Sequence, residues 1–334
     1  MLVSESVARD LVRLITWFPF RWALESLPAK TAYGLLRAVA DAHMALGGGG
    51  KIQRNMREVF PGQTDAWFRD QARKCYEAWY VNQLQVIVFP QITRRCLPEI
   101  LTWEGLEHVR EALKAGKGAI LLHAHYGPIH LPLHALGLLG WPVMQLGLRT
   151  DEGLSAIGQR VAFRLRERYE ARIHAPIIMV GRFLKPLFKW LKENGVLMMT
   201  GDGAGRARPA GRQLVQPFLG SKMLFPIGAA SLAARTGAAL LFMTTHRTEA
   251  GRFLTRIEPP CFVAGEADGK SGVRETTGRF AEYLEAKVLS NPGPWFLWDE
   301  ANEIFDLAEE FEAGRIVKMP SLQAGNGPEN AGKG

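Results

Sequence analysis

The chain beyond Gly116 alternates short apolar stretches with helical patterns, and this alternation limits the fold more than any other feature. Six strands are predicted near 118–123, 142–147, 195–200, 214–218, 238–245 and 252–258. Helices are predicted near 128–139, 152–168, 181–194, 225–236 and 271–289. Strands that alternate with helices favour a mainly parallel sheet covered on both faces. We therefore expect an α/β fold, with a mainly parallel mixed sheet flanked by helices.

The first hundred residues are predicted to be helical instead, and glycines and prolines interrupt the pattern. The predicted helices lie at about 7–27, 29–46, 64–89 and 92–100. We expect residues 1–100 to form a helical region packed on the same domain as an α/β core at 101–317. The tail at 318–334 is rich in Gly, Pro, Asn and Lys, a composition that is typical of disorder.

Residues 11–27 combine aromatic and aliphatic side chains with two arginines, Arg13 and Arg21. A helix of this kind can lie in the bilayer interface, with tryptophans at headgroup level and arginines on lipid phosphates. It can also be an ordinary amphipathic helix that packs on the core. No apolar run reaches the roughly 18–20 residues that a spanning helix needs, and no secretory signal is evident. We expect this region to seat the protein on a membrane.

The formal net charge of the chain is +8, which suits an anionic partner such as acidic phospholipid or an acidic carrier protein. A solvated basic surface without a dedicated partner would have the same composition. No nucleic-acid motif is present, so nucleic acid is not an expected partner. The three cysteines are scattered and are typical of reduced thiols rather than of a disulfide framework or a zinc site.

His125 is the main candidate for chemistry. It follows the predicted strand 118–123 and precedes a sharp turn, Tyr126-Gly127-Pro128. Ligands of parallel sheets bind at the carboxyl ends of the strands. A histidine in that position can act as a general base on a hydroxyl group.

A histidine base usually has a carboxylate that orients its ring, and the identity of that partner is open in this sequence. The polar residue five positions after His125 is His130, which carries no negative charge when it is neutral. Asp202, at the end of another predicted strand, is the best candidate for a carboxylate from elsewhere. Asp202 could equally be a turn or capping residue within Gly201-Asp202-Gly203.

Several short motifs follow one another from about residue 10 to residue 300. They are Asn-Met-Arg-Glu-Val-Phe-Pro-Gly at 55–62, Lys-Gly-Ala-Ile-Leu-Leu at 117–122, His-Tyr-Gly at 125–127, Gly-Trp-Pro-Val at 140–143, Gly-Asp-Gly at 201–203, Phe-Leu-Gly at 218–220 and Phe-Pro-Ile-Gly-Ala-Ala at 225–230. In this order and spacing the chain resembles the bacterial lysophospholipid acyltransferase superfamily. Its closest branch resembles the late lipid A (lauroyl/myristoyl) acyltransferases, with the mycobacterial phosphatidylinositol mannoside acyltransferases nearby.

The resemblance implies a glycerolipid acyltransferase-like fold and transfer of a fatty acyl group from a thioester of acyl carrier protein or coenzyme A. The implied acceptor is a hydroxyl of a membrane lipid or glycolipid, either lipid A-like or a phospholipid. It also implies no cofactor and no metal. The implied location is the cytoplasmic face of the inner membrane, where the protein would be peripheral or monotopic.

The signature of this family is a histidine followed five residues later by Asp or Glu, which aligns with His125 and His130. Gly127 matches the small residue between them, and His130 departs from the acidic residue. In this interpretation His125 removes the proton of the acceptor hydroxyl as its oxygen attacks the thioester carbonyl. Backbone N–H groups at 126–129 could supply some of the donors that the charge on the carbonyl oxygen needs.

Four residues are expected to bind substrate near His125. Tyr126 and Gly127 form the adjacent turn, Arg149 follows the second core strand, and Arg206 lies in a basic loop after Gly203. An arginine can bind lipid phosphate or the acidic surface of a carrier protein.

Two other functional classes stay open. The fold could persist as a non-catalytic lipid-binding relative that has lost the acidic partner. A metal-dependent hydrolase could instead use the cluster formed by His123, His125, His130 and His134, because histidines at such spacings can bind a metal ion.

Overall fold

The computed structural model describes residues 6–147, 153–179, 185–203, 211–263 and 270–315. Arg149, Arg206 and the predicted disordered tail at 318–334 lie outside these residues. Their assigned roles therefore stay predictions, as does the division of the chain at residues 100 and 317.

Nine strands occur in the described part of the chain. They are β1 (Leu101–Glu104), β2 (Ala119–His123), β3 (Val143–Gly147), β4 (Ile177–Met179), β5 (Val196–Thr200), β6 (Gln213–Phe218), β7 (Ser221–Pro226), β8 (Ala239–Arg247) and β9 (Phe253–Ile257). Seven of them form one sheet in the order β1-β9-β8-β2-β5-β3-β4. The five strands from β8 to β4 are parallel, β9 is antiparallel to β8, and β1 is parallel to β9. The expected mainly parallel mixed sheet is confirmed.

Helices flank this sheet. They are α1 (Val7–Ile15), α2 (Arg21–Ser26), α3 (Ala29–Ala45), α4 (Gly50–Val59), α5 (Asp65–Val88), α6 (Leu97–Ile100), α7 (Leu106–Leu113), α8 (His130–Leu138), α9 (Arg164–Glu170), α10 (Lys185–Lys192), α11 (Gly228–Thr236), α12 (Lys270–Ser290) and α13 (Ala301–Glu312). A π-helical turn at Thr16–Phe20 joins α1 to α2, and a second one at Gly158–Phe163 leads into α9. No helix among the described residues is both long enough and apolar enough to span a bilayer.

Two apolar cores lie against the two faces of the sheet, because successive side chains of a strand point in opposite directions. In β2, which is buried throughout, Leu121 belongs to one core, whereas Ile120 and Leu122 belong to the other. Helices α5 and α8 contribute to the first core, and α11 and α12 contribute to the second. The end of β2 is thus packed between two apolar cores, which restricts the position of the chain that leads to His125.

All six predicted strands are present to within two residues, but the hydrophobic pattern did not reveal three others. Strands β1, β4 and β7 are short or half-exposed, so they lack the continuous apolar run that identified the rest. Strand β6 pairs with β7 outside the main sheet. Helix α4 was also missed, because its first residue, Gly50, belongs to the four-glycine run that we interpreted as a break.

Three histidines are buried in the core, and their surroundings disfavour the charged form. His123 ends β2, whereas His130 and His134 lie one turn apart on α8. Burial lowers the pKa of His123 and of His134 to about 4 and the pKa of His130 to about 3. All three imidazoles are therefore neutral in the folded protein at physiological pH.

This burial predicts acid sensitivity. Below the ordinary histidine pKa of 6.5, the unfolded chain binds protons at these rings and the folded chain does not, so stability falls as pH falls towards about 4. Each ring contributes a slope of about 1 kcal/mol per pH unit over that window. In denaturant titrations from pH 7 to pH 4, His134→Leu should show a shallower loss of unfolding free energy than the unsubstituted protein. Equal slopes would contradict this origin of the acid sensitivity.

Candidate active site

The candidate site forms where two parallel strands end side by side. Strands β2 and β5 pair in register, with His123 opposite Thr200, and the Gly201 N–H donates to the His123 carbonyl at 2.7 Å. His125 follows the first strand by two residues, and Asp202 follows the second by two. Because carboxyl ends of neighbouring parallel strands meet at one edge of a sheet, the two side chains are brought together.

Asp202 hydrogen-bonds to His125 through both carboxylate oxygens. Its Oδ1 lies 2.8 Å from the ring Nδ1, and its Oδ2 accepts the His125 backbone N–H at 2.9 Å. The Asp202 side chain is fully buried, whereas 21% of the His125 side chain is exposed. A carboxylate at Nδ1 favours the tautomer that carries the proton on that nitrogen, so Nε2 is the atom left to accept a proton.

His130 lies in the first turn of α8 and is buried. Within the described residues its Nδ1 has no hydrogen-bond partner, and no hydrogen bond joins its ring to that of His125. Burial, and secondarily the positive charge of Arg166, holds the His130 pKa at about 3. The His130 ring is neutral and makes no hydrogen bond to His125. Asp202 is the residue that orients the His125 ring instead. A direct part of His130 in the chemistry stays a prediction.

Tyr126 and Gly127 shape the turn after His125. The Tyr126 side chain is buried, and its hydroxyl donates to the Asn291 carbonyl at 2.9 Å. Gly127 has a φ of 65°, and a Cβ on it would lie 1.8 Å from the Thr245 carbonyl oxygen. Only glycine fits both the backbone conformation and this close approach. The contacts explain these two residues structurally, and their expected binding of substrate stays a prediction.

The expected row of backbone donors at 126–129 is largely occupied. The Gly127 N–H donates to the Pro294 carbonyl at 2.9 Å, and the Ile129 N–H donates to Asn82 Oδ1 at 3.0 Å. Pro128 has no N–H. Within the described residues, the Tyr126 N–H is the donor of this turn that stays available, and its stabilisation of a carbonyl oxygen stays a prediction.

Sequence reasoning missed two residues at the site. Asn82 of α5 is buried, and its side-chain amide donates to the Gly127 carbonyl. Its Oδ1 accepts the Ile129 N–H, so Asn82 stabilises the turn after His125 by two hydrogen bonds. The Trp295 indole N–H donates to Asp202 Oδ2 at 3.3 Å. Asn82 and Gln85 interrupt the apolar stretch 81–89, and this signal could have been followed. No comparable signal identifies Trp295.

The histidine cluster considered as a metal site does not form a ligand set among the described residues. The His134 ring stacks on Phe89 with ring centroids 4.4 Å apart, and the His125 Nδ1 is already bonded to Asp202. Across the residues that the structure covers, no group of three or more His, Cys, Asp or Glu side chains is placed to hold a metal ion. The metal-hydrolase alternative thus lacks its proposed ligand set.

Comparisons with known proteins identify the family of this chain. The model of a family described as bacterial lipid A biosynthesis acyltransferase matches residues 6–299, a range that includes His125, Asp202 and Trp295. A phosphatidylinositol mannoside acyltransferase of Mycolicibacterium smegmatis (strain ATCC 700084 / mc(2)155) is 25% identical over 305 residues, which cover 87% of this chain and 92% of the relative. Because the family match extends over most of the chain, this protein is an acyltransferase that belongs to the bacterial lipid A biosynthesis acyltransferase family.

Proposed function

We propose that this acyltransferase moves a fatty acyl group from a thioester of acyl carrier protein or coenzyme A to a hydroxyl of a membrane glycolipid. The observation that carries the proposal is the hydrogen-bonded pair of His125 and Asp202 at the carboxyl ends of β2 and β5. The pair has the geometry of a general base whose ring is oriented by a carboxylate.

The reaction would proceed by direct attack. His125 Nε2 takes the proton of the acceptor hydroxyl while the hydroxyl oxygen forms a bond to the thioester carbonyl carbon. Asp202 stabilises the imidazolium that results, because its buried carboxylate is hydrogen-bonded to Nδ1. When the tetrahedral intermediate collapses, the carbon–sulfur bond breaks and the thiolate takes the proton from Nε2. The products are an ester on the acceptor and a free thiol.

The relatives favour a glycolipid as the acceptor class. The matching family is described by lipid A biosynthesis, and the mycobacterial relative is named for a phosphatidylinositol mannoside. Both are sugar-bearing lipids with anionic phosphate groups. A sugar hydroxyl is a poor nucleophile until its proton is removed, which is the step that His125 would perform.

The alternative of a non-catalytic relative rested on the missing acid at position 130. Asp202 supplies a carboxylate to His125 from β5, so that premise is lost. A buried carboxylate is costly unless it is hydrogen-bonded, and a lipid-binding scaffold gains nothing from one that faces a partly exposed imidazole. The pair therefore supports catalysis rather than binding alone.

We also propose that α1, the π-helical turn that follows it and the first turn of α2 seat the enzyme on the cytoplasmic face of the inner membrane. Apolar side chains on this segment are exposed by 38–88%, at positions that recur every three or four residues: Val7, Leu11, Ile15, Phe18 and Trp22. Such spacing places them on one face of the helix. An apolar helix face left open to solvent is typical of a segment that lies in a bilayer interface.

The arginines expected on lipid phosphates are not those of the helix itself. Arg13 is paired with Asp10, and Arg21 donates to Tyr169 Oη at 2.7 Å. Exposed arginines instead line the adjoining turn and α9 at intervals of four residues, namely Arg160, Arg164 and Arg168. The hydrogen bond from Arg13 to Ser155 places this segment next to α1, so basic and apolar side chains face an anionic bilayer together.

The first test of the mechanism compares three substitutions. His125→Ala and Asp202→Asn should each lower kcat by about 10³–10⁴-fold, because the base and its orienting carboxylate act as a unit. His130→Gln should change kcat by less than about tenfold, since a neutral buried ring is replaced by another neutral polar group. The measurement is transfer of labelled acyl groups from acyl carrier protein or coenzyme A to glycolipid in vesicles, with thermal unfolding as the control for folding.

Each outcome has a clear meaning. Activity of Asp202→Asn close to that of the unsubstituted enzyme would remove Asp202 from the mechanism. Activity of His130→Gln as low as that of His125→Ala would return His130 to the chemistry. Mass spectrometry of lipids from cells with and without the protein would identify the acceptor and the acyl length together, and an unchanged lipid profile would contradict the proposed reaction.

The membrane proposal predicts a separate loss. The triple variant Leu11→Glu, Ile15→Glu, Trp22→Glu should bind vesicles of phosphatidylglycerol and phosphatidylcholine at least a hundredfold more weakly, since each buried apolar side chain contributes about 1.5–3 kcal/mol. Its melting temperature should change little, because the three side chains are exposed. Leu289→Glu, at another exposed leucine on α12, is the matched control. Equal vesicle binding by the triple variant and the control would contradict the membrane seat.

A further inference from the structure

We propose that Trp295 is a positioning residue of the acyl-transfer site, which acts by holding the carboxylate of Asp202 against His125. The proposal rests on the proposed roles of His125 and Asp202. It assigns to the segment 292–298, here named the strap, the function of setting the geometry of the catalytic pair.

The strap is paired with the turn that carries His125. The Gly127 N–H donates to the Pro294 carbonyl at 2.9 Å, and the Phe296 N–H donates to the His125 carbonyl at 3.1 Å. These two bonds form an antiparallel bridge between Tyr126 and Trp295. The backbone of His125 is therefore hydrogen-bonded in register with the strap.

From this backbone position, the indole of Trp295 reaches the second member of the pair. Its Nε1–H donates to Asp202 Oδ2, which also accepts the His125 backbone N–H. The Oδ1 atom faces the imidazole. An indole nitrogen can only donate, so it holds the carboxylate in one orientation. Trp295 thereby links the strap to both residues of the pair.

The ring of Trp295 has little freedom to turn away. The side chain is fully buried and packs edge-on against Phe218 and Trp298, with ring centroids 5.5 and 5.0 Å apart. Because none of its surface is exposed, it cannot contact substrate. The effect of the Trp295 indole N–H on the reaction therefore passes through Asp202, the group to which it donates.

The strap is also anchored outside the site, so the direction of the indole does not depend on substrate. The Gly293 N–H donates to Gln71 Oε1 at 3.2 Å, and the Trp298 indole N–H donates to the Pro292 carbonyl at 2.8 Å. Asn55 of α4 donates to the Trp298 carbonyl at 2.7 Å. Fixed donors of this kind orient a catalytic group before substrate binds.

The test removes the indole N–H and retains an aromatic ring. In Trp295→Phe, kcat should fall about tenfold with KM unchanged, which corresponds to the low end of the effect of a hydrogen bond to a charged group. When the indole N–H is removed, the Asp202 carboxylate attracts the protonated imidazole of His125 more strongly. The acidic limb of the pH profile of kcat/KM should therefore move to higher pH. Trp190→Phe is the matched control, because the Trp190 indole N–H donates to the Val196 carbonyl at the opposite end of β5.

A purely structural role would give a different result. Lower stability with an unchanged pH profile in Trp295→Phe, as in the control, would overturn the proposal. In the Asp202→Asn background, Trp295→Phe should cause no further loss of kcat, because the group through which it acts is already neutral. Losses that multiply in the double variant would also overturn it.

Two further arms keep the result decisive. If Trp295→Phe does not fold, β-(3-benzothienyl)alanine at position 295 gives the shape of tryptophan without the N–H, and the same shift of the pH profile is expected. If Asp202→Asn is fully active, the proposed pair fails and this inference fails with it. If Asp202→Asn is impaired and Trp295→Phe behaves like the control, the inference alone fails.

Discussion

The site depends on one hydrogen-bonded pair, in which a fully buried carboxylate faces a partly exposed imidazole. Asp202 and His125 are 77 residues apart in the chain, and the pairing of β2 with β5 brings them together. A buried charge destabilises a fold unless donors surround it. Here the donors are the His125 ring, the His125 backbone and the Trp295 indole. The groups that satisfy the carboxylate are thus also the groups that set the geometry of the proposed catalytic pair.

The sequence predicted those parts of this arrangement that depend on local interactions. Strand β2 was visible because it is a short apolar run that ends at a turn, and His125 was found from its place after that run. Asp202 was found in the same way, but its contact with His125 was only one of several possibilities. The contact is set by which strands are neighbours, and strand order is decided by the whole core rather than by the residues next to Asp202.

Trp295 shows the limit of such reasoning. Its indole reaches Asp202 because the strap pairs with the turn at 125–127, a contact between segments about 170 residues apart that no local pattern encodes. Short or half-exposed strands such as β4 were missed for a related reason, since their stability comes from a neighbour rather than from their own hydrophobic run. In both cases the missing information was tertiary.

His130 is a different case, because its spacing from His125 suggested a role in the chemistry that stays a prediction. His130 is a buried residue in the first turn of α8, where an ionised side chain would need donors. Because the His130 Nδ1 has no hydrogen-bond partner among the described residues, a carboxylate there would have been poorly satisfied. A neutral imidazole costs less to bury than a charged group. Histidine at this position is therefore compatible with a site whose negative charge resides on Asp202.

The N-terminal helix α1 turns its polar side chains towards the protein and leaves its apolar side chains exposed. An ordinary surface helix buries its apolar face and exposes its polar one, whereas α1 does the reverse. Asp10 and Arg13 bond to each other and to Ser155 beside α9, while Leu11 and Ile15 are more than half exposed. In water this arrangement is unfavourable, because the polar side chains are bonded within the protein while the apolar side chains are exposed to solvent. In the proposed membrane-bound state, a bilayer interface would cover this apolar face. The proposed lipid acceptor would lie in the same bilayer.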